Sequence, residues 1–378
     1  MSFVYLDNSA TTKPCKQAID VLNQTLIEDW GNPSSLHTLG IKAEKMMNEA
    51  RQKTAKLMGC MEKEVYFTSG GTEANNIAIQ GAAKARKRLG NRIITTEIEH
   101  ASVYETVKNL EKEGFEIVTI KPQNGEITAR MFEDSIDKNT ILVSMMMVNN
   151  ETGAYLPVQS IKKIIQKKKA PALFHCDAVQ AFGKMEIKPS RLGIDLMTVS
   201  GHKIHAPKGI GALYISKDAR VLPLYGGGDQ EKHIRPGTES VPLICALGAA
   251  CEAVGNIKEH FNNVLVLKNK LVEMLSGIDE VVINSPDDAL PYVFNISVMG
   301  IKSETMLHYL ASNNVYVSSG SACSKGKKSR TLQQLGFPDE KVDTALRISF
   351  CRDNTMEDIE IFVKALKNGI NSLQRIKK

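Results

Sequence analysis

Between residues 65 and 216 the chain repeats one cycle: a short apolar run, then a turn or a stretch that reads as helix. The runs are VYF (65–67), RIITTEIEH (92–100), FEIVTI (115–120), ILVSMMMV (141–148), ALFHCDAV (172–179), DLMTVSG (195–201) and GIGALYIS (209–216). Parallel neighbours in a sheet need a long crossover, usually a helix, and such helices cover both faces. The cycle therefore predicts an α/β fold: a large unit with a mostly parallel seven-stranded sheet flanked by helices. Residues 39–58 read as a further helix ahead of the first strand.

After about residue 255 the texture changes. Residues 258–278 and SETMLHYLAS read as helices, while YVFNISVMG, NNVYVSSG and TALRISFC read as strands. This predicts a smaller α+β unit. A chain of 378 residues exceeds one ordinary core. We expect a large domain over 15–255 and a small domain made of 1–14 and 256–378.

In an open parallel sheet, ligands bind at the carboxyl ends of the strands. The first strand runs into Thr68-Ser69-Gly70-Gly71-Thr72-Glu73 and a helix start. Small residues there let backbone amides converge on an anion, with the positive helix end behind them. The stretch is neither a P-loop nor a G-x-G-x-x-G fingerprint. Later strand ends present His100, then Asn149-Asn150-Glu151, then Asp177 and Gln180, then Ser200-Gly201-His202-Lys203. Singly, each has an ordinary role as turn, helix cap or solvated side chain. Together, an anion cradle, a carboxylate and a lysine at one edge suggest pyridoxal phosphate. Its phosphate needs the cradle, its ring nitrogen an anionic partner and its aldehyde carbon an amine.

The stretch SSGSACSKGKKSR (318–330) places Cys323 among Ser, Gly and Lys. Cysteine usually behaves as a small buried apolar group. A polar, basic, exposed setting instead favours the reactive thiolate. The other cysteines are at 15, 60, 176, 245, 251 and 351, and no two of the seven lie within four residues. No C-x-x-C metal knuckle or redox pair exists, and free thiols fit a reducing, cytoplasmic setting. The net charge of +6 is mild for this length and gives no reason to expect nucleic acid. MSFVYLDNSATTKP does not read as a signal peptide, and no apolar run approaches the ~20 residues of a membrane helix.

Eight stretches, in order, resemble the NifS/IscS-like cysteine desulfurases, a group within the class-V aminotransferase family of the pyridoxal-phosphate-dependent transferase fold. They are YLDNSATT (5–12), FTSGGTEANN (67–76), TEIEHASV (96–103), VNNETG (148–153), HCDAVQ (175–180), RPGTES (235–240), SSGSACS (318–324) and LRISFCR (346–352), with SGHKIHAPKGIGAL (200–213) around the lysine. The resemblance implies that Lys203 holds the cofactor and shuttles protons, and that Asp177 pairs with its ring nitrogen. Gln180 and Asn150 would touch its phenolic oxygen or nearby groups, with Asn150 also near substrate, and His100 would stack on the ring and act in acid–base steps. Gly71, Thr72, Ser200 and His202 would hold the phosphate. Thr238 would reach the phosphate of a second copy, which implies a homodimer, and Arg347 would clamp the substrate carboxylate.

The implied activity converts L-cysteine to L-alanine and leaves sulfur on Cys323 as a persulfide. A sulfur-acceptor protein would receive it, either an iron–sulfur scaffold or a tRNA-thiolation enzyme. No resident metal is implied, although Cys323 could ligate a transient iron–sulfur cluster. The same fold serves selenocysteine lyases and class-V transaminases, and a sulfur-carrier or redox partner is the non-enzymatic alternative. Three departures stand out. The basic stretch from Cys323 to Thr331 is short, Pro236 stands where Ser or Ala is more usual, and Cys351 stands where a small residue is more usual. Cys351 reads as a buried strand cysteine or a second reactive thiol, and Cys176 as core.

Overall fold

All seven apolar runs become strands of one sheet in the computed structural model, which describes residues 3–320 and 328–374. A two-residue strand β1 (Val4–Tyr5) comes first. The sheet comprises β2 (Val65–Thr68), β3 (Arg92–Thr96), β4 (Glu116–Ile120), β5 (Thr140–Met146), β6 (Leu173–Asp177), β7 (Leu196–Ser200) and β8 (Gly211–Ile215). Its order is β2-β8-β7-β6-β5-β3-β4. Only β8 runs against its neighbours; the pairs β7-β6, β6-β5, β5-β3 and β3-β4 are parallel. Six strands thus deliver their carboxyl ends to one edge. Every residue of β5, β6 and β7 is buried, as expected for strands covered on both faces.

The first four helices are α1 (Lys16–Ile27), α2 (Thr38–Met58), α3 (Gly71–Arg86) and α4 (Ala101–Lys112). Helix α3 lies on the sheet through Ala74, Ala78 and Ala82, four residues apart and all fully buried. These short side chains bring the helix close to the strands. Ile77, Val103, Val107 and Leu110 fill the same layer. The opposite face packs on a larger core that includes Met145, Phe174, Phe182 and Met197. Truncating one such side chain, as in Phe174→Ala, costs about 3–5 kcal/mol.

A second, antiparallel sheet has the order β12-β10-β9, from β9 (Val281–Ile283), β10 (Val293–Val298) and β12 (Ala345–Ser349). The two-residue strand Val315–Tyr316, which precedes β12, is β11, and it pairs in parallel with β1. Asp7 bridges to Ser349 just beyond. The amino-terminal residues therefore pack on the carboxyl-terminal third, with Val4 and Leu6 fully buried.

Among the elements not apparent in the sequence pattern are β9 and the helices Lys16–Ile27, Val241–Ala253 and Met356–Ser372. Three residues of β9 are too few to show alternation. Helix Val241–Ala253 is apolar almost all round, so it lacks the one-sided period that marks a surface helix. It crosses α2 so closely that a Cβ on Gly248 would lie 2.7 Å from Ala50 Cα. No single helix among the described residues is long and apolar enough to cross a membrane.

Candidate active site

At the carboxyl edge the sheet opens into a cleft of about 230 Å³. Its walls hold Gly71 and Thr72 from the start of α3, His100 before α4, Asn150 after β5, and Asp177 and Gln180 at and after β6. Ser200, His202 and Lys203 at and after β7, and Arg347 of β12, line it as well. Two expected site residues are not among them. Thr238 is exposed, on the loop before helix Val241–Ala253. Cys323 lies outside the described residues.

The start of α3 is open to a ligand. Its N-cap is Gly70, at φ 151, so no side chain covers the first amides. Strand β8 makes room for this turn, since a Cβ on Gly211 would lie 2.8 Å from Gly70 Cα. His202 approaches from the turn after β7, and its Nδ1 is 3.2 Å from Thr11 Oγ1. Burial, helped by the Lys203 charge, pushes the His202 imidazole down to about 4. It is therefore neutral at pH 7 and able to donate one hydrogen bond without adding charge.

Asp177 ends β6 and is held from two sides. Val179 N donates to Oδ1 at 3.0 Å and Asn75 Nδ2 to Oδ2 at 2.8 Å. The second Asn75 hydrogen goes to Ser102 Oγ at 2.8 Å, and Asn75 Oδ1 is a buried acceptor with no hydrogen-bond partner. His100 caps α4: Ser102 N donates to its Nδ1 at 3.2 Å, which places the proton of the neutral ring on Nε2.

Lys203 sits in the single turn after β7, and its Nζ donates to Ser9 O at 2.5 Å and Ala10 O at 2.8 Å. Gln180 Nε2 donates to the same Ser9 carbonyl at 3.1 Å, and Lys184 Nζ donates to Gln180 Oε1 at 3.1 Å. Burial, then the Lys203 and Arg347 charges, push the Lys184 amine down to about 7.

Arg347 is almost fully buried. Its NH2 donates to Asp7 Oδ1 at 2.9 Å and its NH1 to Asn150 O at 3.1 Å, while Nε has no partner. Burial raises the Asp7 pKa against the pull of this guanidinium. Behind His100, Glu99 accepts from Thr96 Oγ1 at 2.6 Å and Met146 N at 3.0 Å. Burial pushes its carboxyl up to about 8.

Sequence reasoning assigns no role to Asp7, Ser9, Asn75, Glu99 or Ser102. The signal for Asn75 is its position three residues after Thr72, on the same helix face. Asp7 and Ser9 lie within YLDNSATT, an apolar-to-polar switch with no partner nearby in sequence. Cys176 is core, as expected. Cys351 needs correction: β12 stops at Ser349, and Cys351 lies two residues beyond it, partly exposed. Burial still pushes its thiol up to about 11, so it is not an activated thiolate.

Residues 4–362 match the family model Aminotransferase class-V. The chain belongs to the class-V aminotransferase family, whose members work through pyridoxal phosphate, and within it to the NifS/IscS-like cysteine desulfurase group. It is 39% identical over 372 residues to a "NifS/IcsS protein homolog" of Lactobacillus delbrueckii subsp. bulgaricus, covering 96% of each chain. It is 38% identical over 378 residues to "Cysteine desulfurase IscS" of Methanosarcina thermophila, covering 99% of this chain and 93% of that one. A solved structure titled "NIFS-LIKE PROTEIN" superposes with a TM-score of 0.93 at 34% identity, covering 98% of this chain and 100% of that one.

Proposed function

We propose that this chain is a cysteine desulfurase that converts L-cysteine to L-alanine and takes the sulfur onto Cys323 as a persulfide. The observation that supports it most is one cleft lined by Lys203, Asp177, the uncapped start of α3 and Arg347. These residues suit pyridoxal phosphate. The Gly70-Gly71 turn is an open anion cradle, Asp177 is a twice-anchored carboxylate and Asn75 Oδ1 is an unpartnered buried acceptor beside it.

Bound there, pyridoxal phosphate supplies an electron sink that acidifies the substrate α-carbon. The amides of Gly71 and Thr72, with Ser200 and His202, hold its phosphate. Asp177 would pair with the ring nitrogen, His100 would contact the ring, and Gln180 and Asn150 would bind near the phenolic oxygen. Lys203 would hold the cofactor through its amine and, once released, move the substrate α-proton. Arg347 orients the substrate carboxylate through a two-pronged pair. The Cys323 thiolate attacks the substrate sulfur. A new S–S bond forms, the Cβ–S bond breaks, and its electron pair returns to carbon, which takes a proton to give alanine.

Residues 15–255 form the cofactor-binding domain, and 1–14 with 256–378 the domain that carries Arg347 and Cys323. The exposed Thr238 reaches the phosphate of a second copy in a homodimer. The persulfide sulfur passes to an acceptor protein of iron–sulfur cluster assembly or thiolation.

The test is incubation of the yellow, cofactor-loaded protein with L-cysteine and a thiol reductant, measuring alanine and sulfide beside Cys323→Ala. Equal release by the parent, with a variant that keeps its colour but releases neither, is expected. A fully active Cys323→Ala protein overturns the role of Cys323. A parent that makes no alanine overturns the activity.

A further inference from the structure

On the far side of the Lys203 turn lies a second, smaller crevice of about 30 Å³, bordered by Lys184, Lys203, His205, Tyr292, Cys351 and Arg352. It plays no part in the mechanism above. One ligand atom each of His205, Cys351 and Asp353 lie within 4.8 Å of one another. We propose that these three side chains form a binding site for a zinc-type divalent cation.

The chemistry of the set supports this. Imidazole, thiolate and carboxylate are the ligands of borderline-soft divalent metals, and three of them leave a fourth position for water. The His205 ring is already oriented as a metal ligand. Its Nδ1 lies 2.9 Å from the carbonyl oxygen of Lys13, which can only accept, so Nδ1 carries the proton and Nε2 holds the lone pair. That arrangement fixes the tautomer of metal-bound histidines. The residue is buried and held in the left-handed region at φ 66, with its amide bound to Thr12 Oγ1 at 2.7 Å. Against the larger effect of burial, which raises it, the backbone amides of Asp353 and Asn354 pull the Cys351 thiol pKa down.

Binding displaces the Cys351 proton to solvent, and the neutral imidazole, the thiolate so formed and the carboxylate together balance a divalent charge. Lys184 and Arg352 face the site and oppose it, but the Arg352–Asp353 contact is long, at 3.7 Å, and leaves the carboxylate able to turn. The site has a structural consequence. His205 follows Lys203 by two residues and Cys351 follows Arg347 by four, so a bound ion staples the lysine turn to the end of β12.

The test uses the full-length, cofactor-loaded protein in a Cys323→Ala background, so that the thiol proposed to carry the persulfide does not compete for metal. Zinc is titrated against a chromophoric chelator. We expect one equivalent retained at about 1 µM free zinc, with a rise in melting temperature. Cys351→Ala, Asp353→Asn and His205→Asn should each weaken retention by about 10- to 100-fold. Asn tolerates the left-handed backbone at 205, and Asp353 is exposed, so at least one variant keeps its fold. Cobalt in place of zinc should give a thiolate charge-transfer band that Cys351→Ala abolishes. No zinc retained by the parent, or retention unchanged in Cys351→Ala and Asp353→Asn, overturns the site.

Discussion

Ser329 donates a hydrogen bond of 2.5 Å to Glu151 Oε2 across 178 residues of sequence. The same hydroxyl accepts from Leu332 N and so caps the short helix Arg330–Gln334. On the other side of residues 321–327, a Cβ on Gly320 would lie 3.6 Å from that carboxylate oxygen. Both roots of the segment that holds Cys323 therefore stand beside Glu151, one residue from Asn150 in the cleft wall.

Ser329→Ala removes both bonds of that hydroxyl. The lost cap costs about 1 kcal/mol of stability. Sulfide release from cysteine should fall, while Lys203 still exchanges the substrate α-proton with deuterated solvent. Exchange and sulfide are measured on the same sample. An equal fall in both would mean that the root supports the whole cleft rather than the cysteine segment.

Asn75→Ala leaves the Asp177 carboxylate short of one donor. Loss of a hydrogen bond to a buried charged group costs about 1.5–3 kcal/mol. Cofactor retention, followed by absorbance during dialysis, should weaken by roughly 10- to 150-fold on that scale. Asp177→Asn, which removes the charge itself, should weaken activity further. Unchanged retention in Asn75→Ala would show that Val179 N alone suffices.

Glu99 gives a pH dependence with a definite sign. In the folded protein its carboxyl keeps a proton up to about 8, against an ordinary 4.5. Between these values the native state binds more protons than the unfolded chain, so stability falls as pH rises through the window. The loss accrues at up to about 1.4 kcal/mol per pH unit and ends above pH 8. Glu99→Gln should flatten this slope and be the more stable protein at pH 8. Urea midpoints from pH 5 to 8 test it, and parallel profiles for parent and variant would contradict it.

Arg347→Lys keeps the charge but loses the planar fork. Its effect should fall mainly on KM for L-cysteine, by roughly 10- to 150-fold, the value of one hydrogen bond to a charged group. A change confined to kcat would move Arg347 from substrate binding to the chemical step.

Strand ends are legible in this sequence because a strand buried on both faces reads as a mostly apolar run, broken only by single residues such as His175 and Thr198. The charged or polar cluster that follows it then marks the sheet edge. Asp177 after LFHC and the Ser200–Lys203 turn after LMTV stand out for that reason. Asn75 does not, because a polar residue near a helix start looks like solvated surface; its partner Asp177 is 102 residues further on. Cys351 follows an apolar strand and reads as part of it, yet the ladder with β10 ends at the pair Val293–Ser349. His205, Cys351 and Asp353 carry no spacing signature, because one ligand comes from the turn after β7 and two from beyond β12.

The pairing of β1 with β11, and of Asp7 with Arg347, also bears on how this protein is made. The carboxylate that steadies Arg347 leaves the ribosome first, and its partner follows 340 residues later. At 5–20 residues per second that interval is roughly 20–70 s. Until β11 emerges at Val315, the apolar Val4 and Leu6 have no strand to join, while the seven-stranded sheet can already assemble behind them. In a nascent chain of which residue 216 has just emerged, the seven strands can pair while Val4 and Leu6 still lack their partner strand, which makes residues 4–6 the natural place for a chaperone to hold.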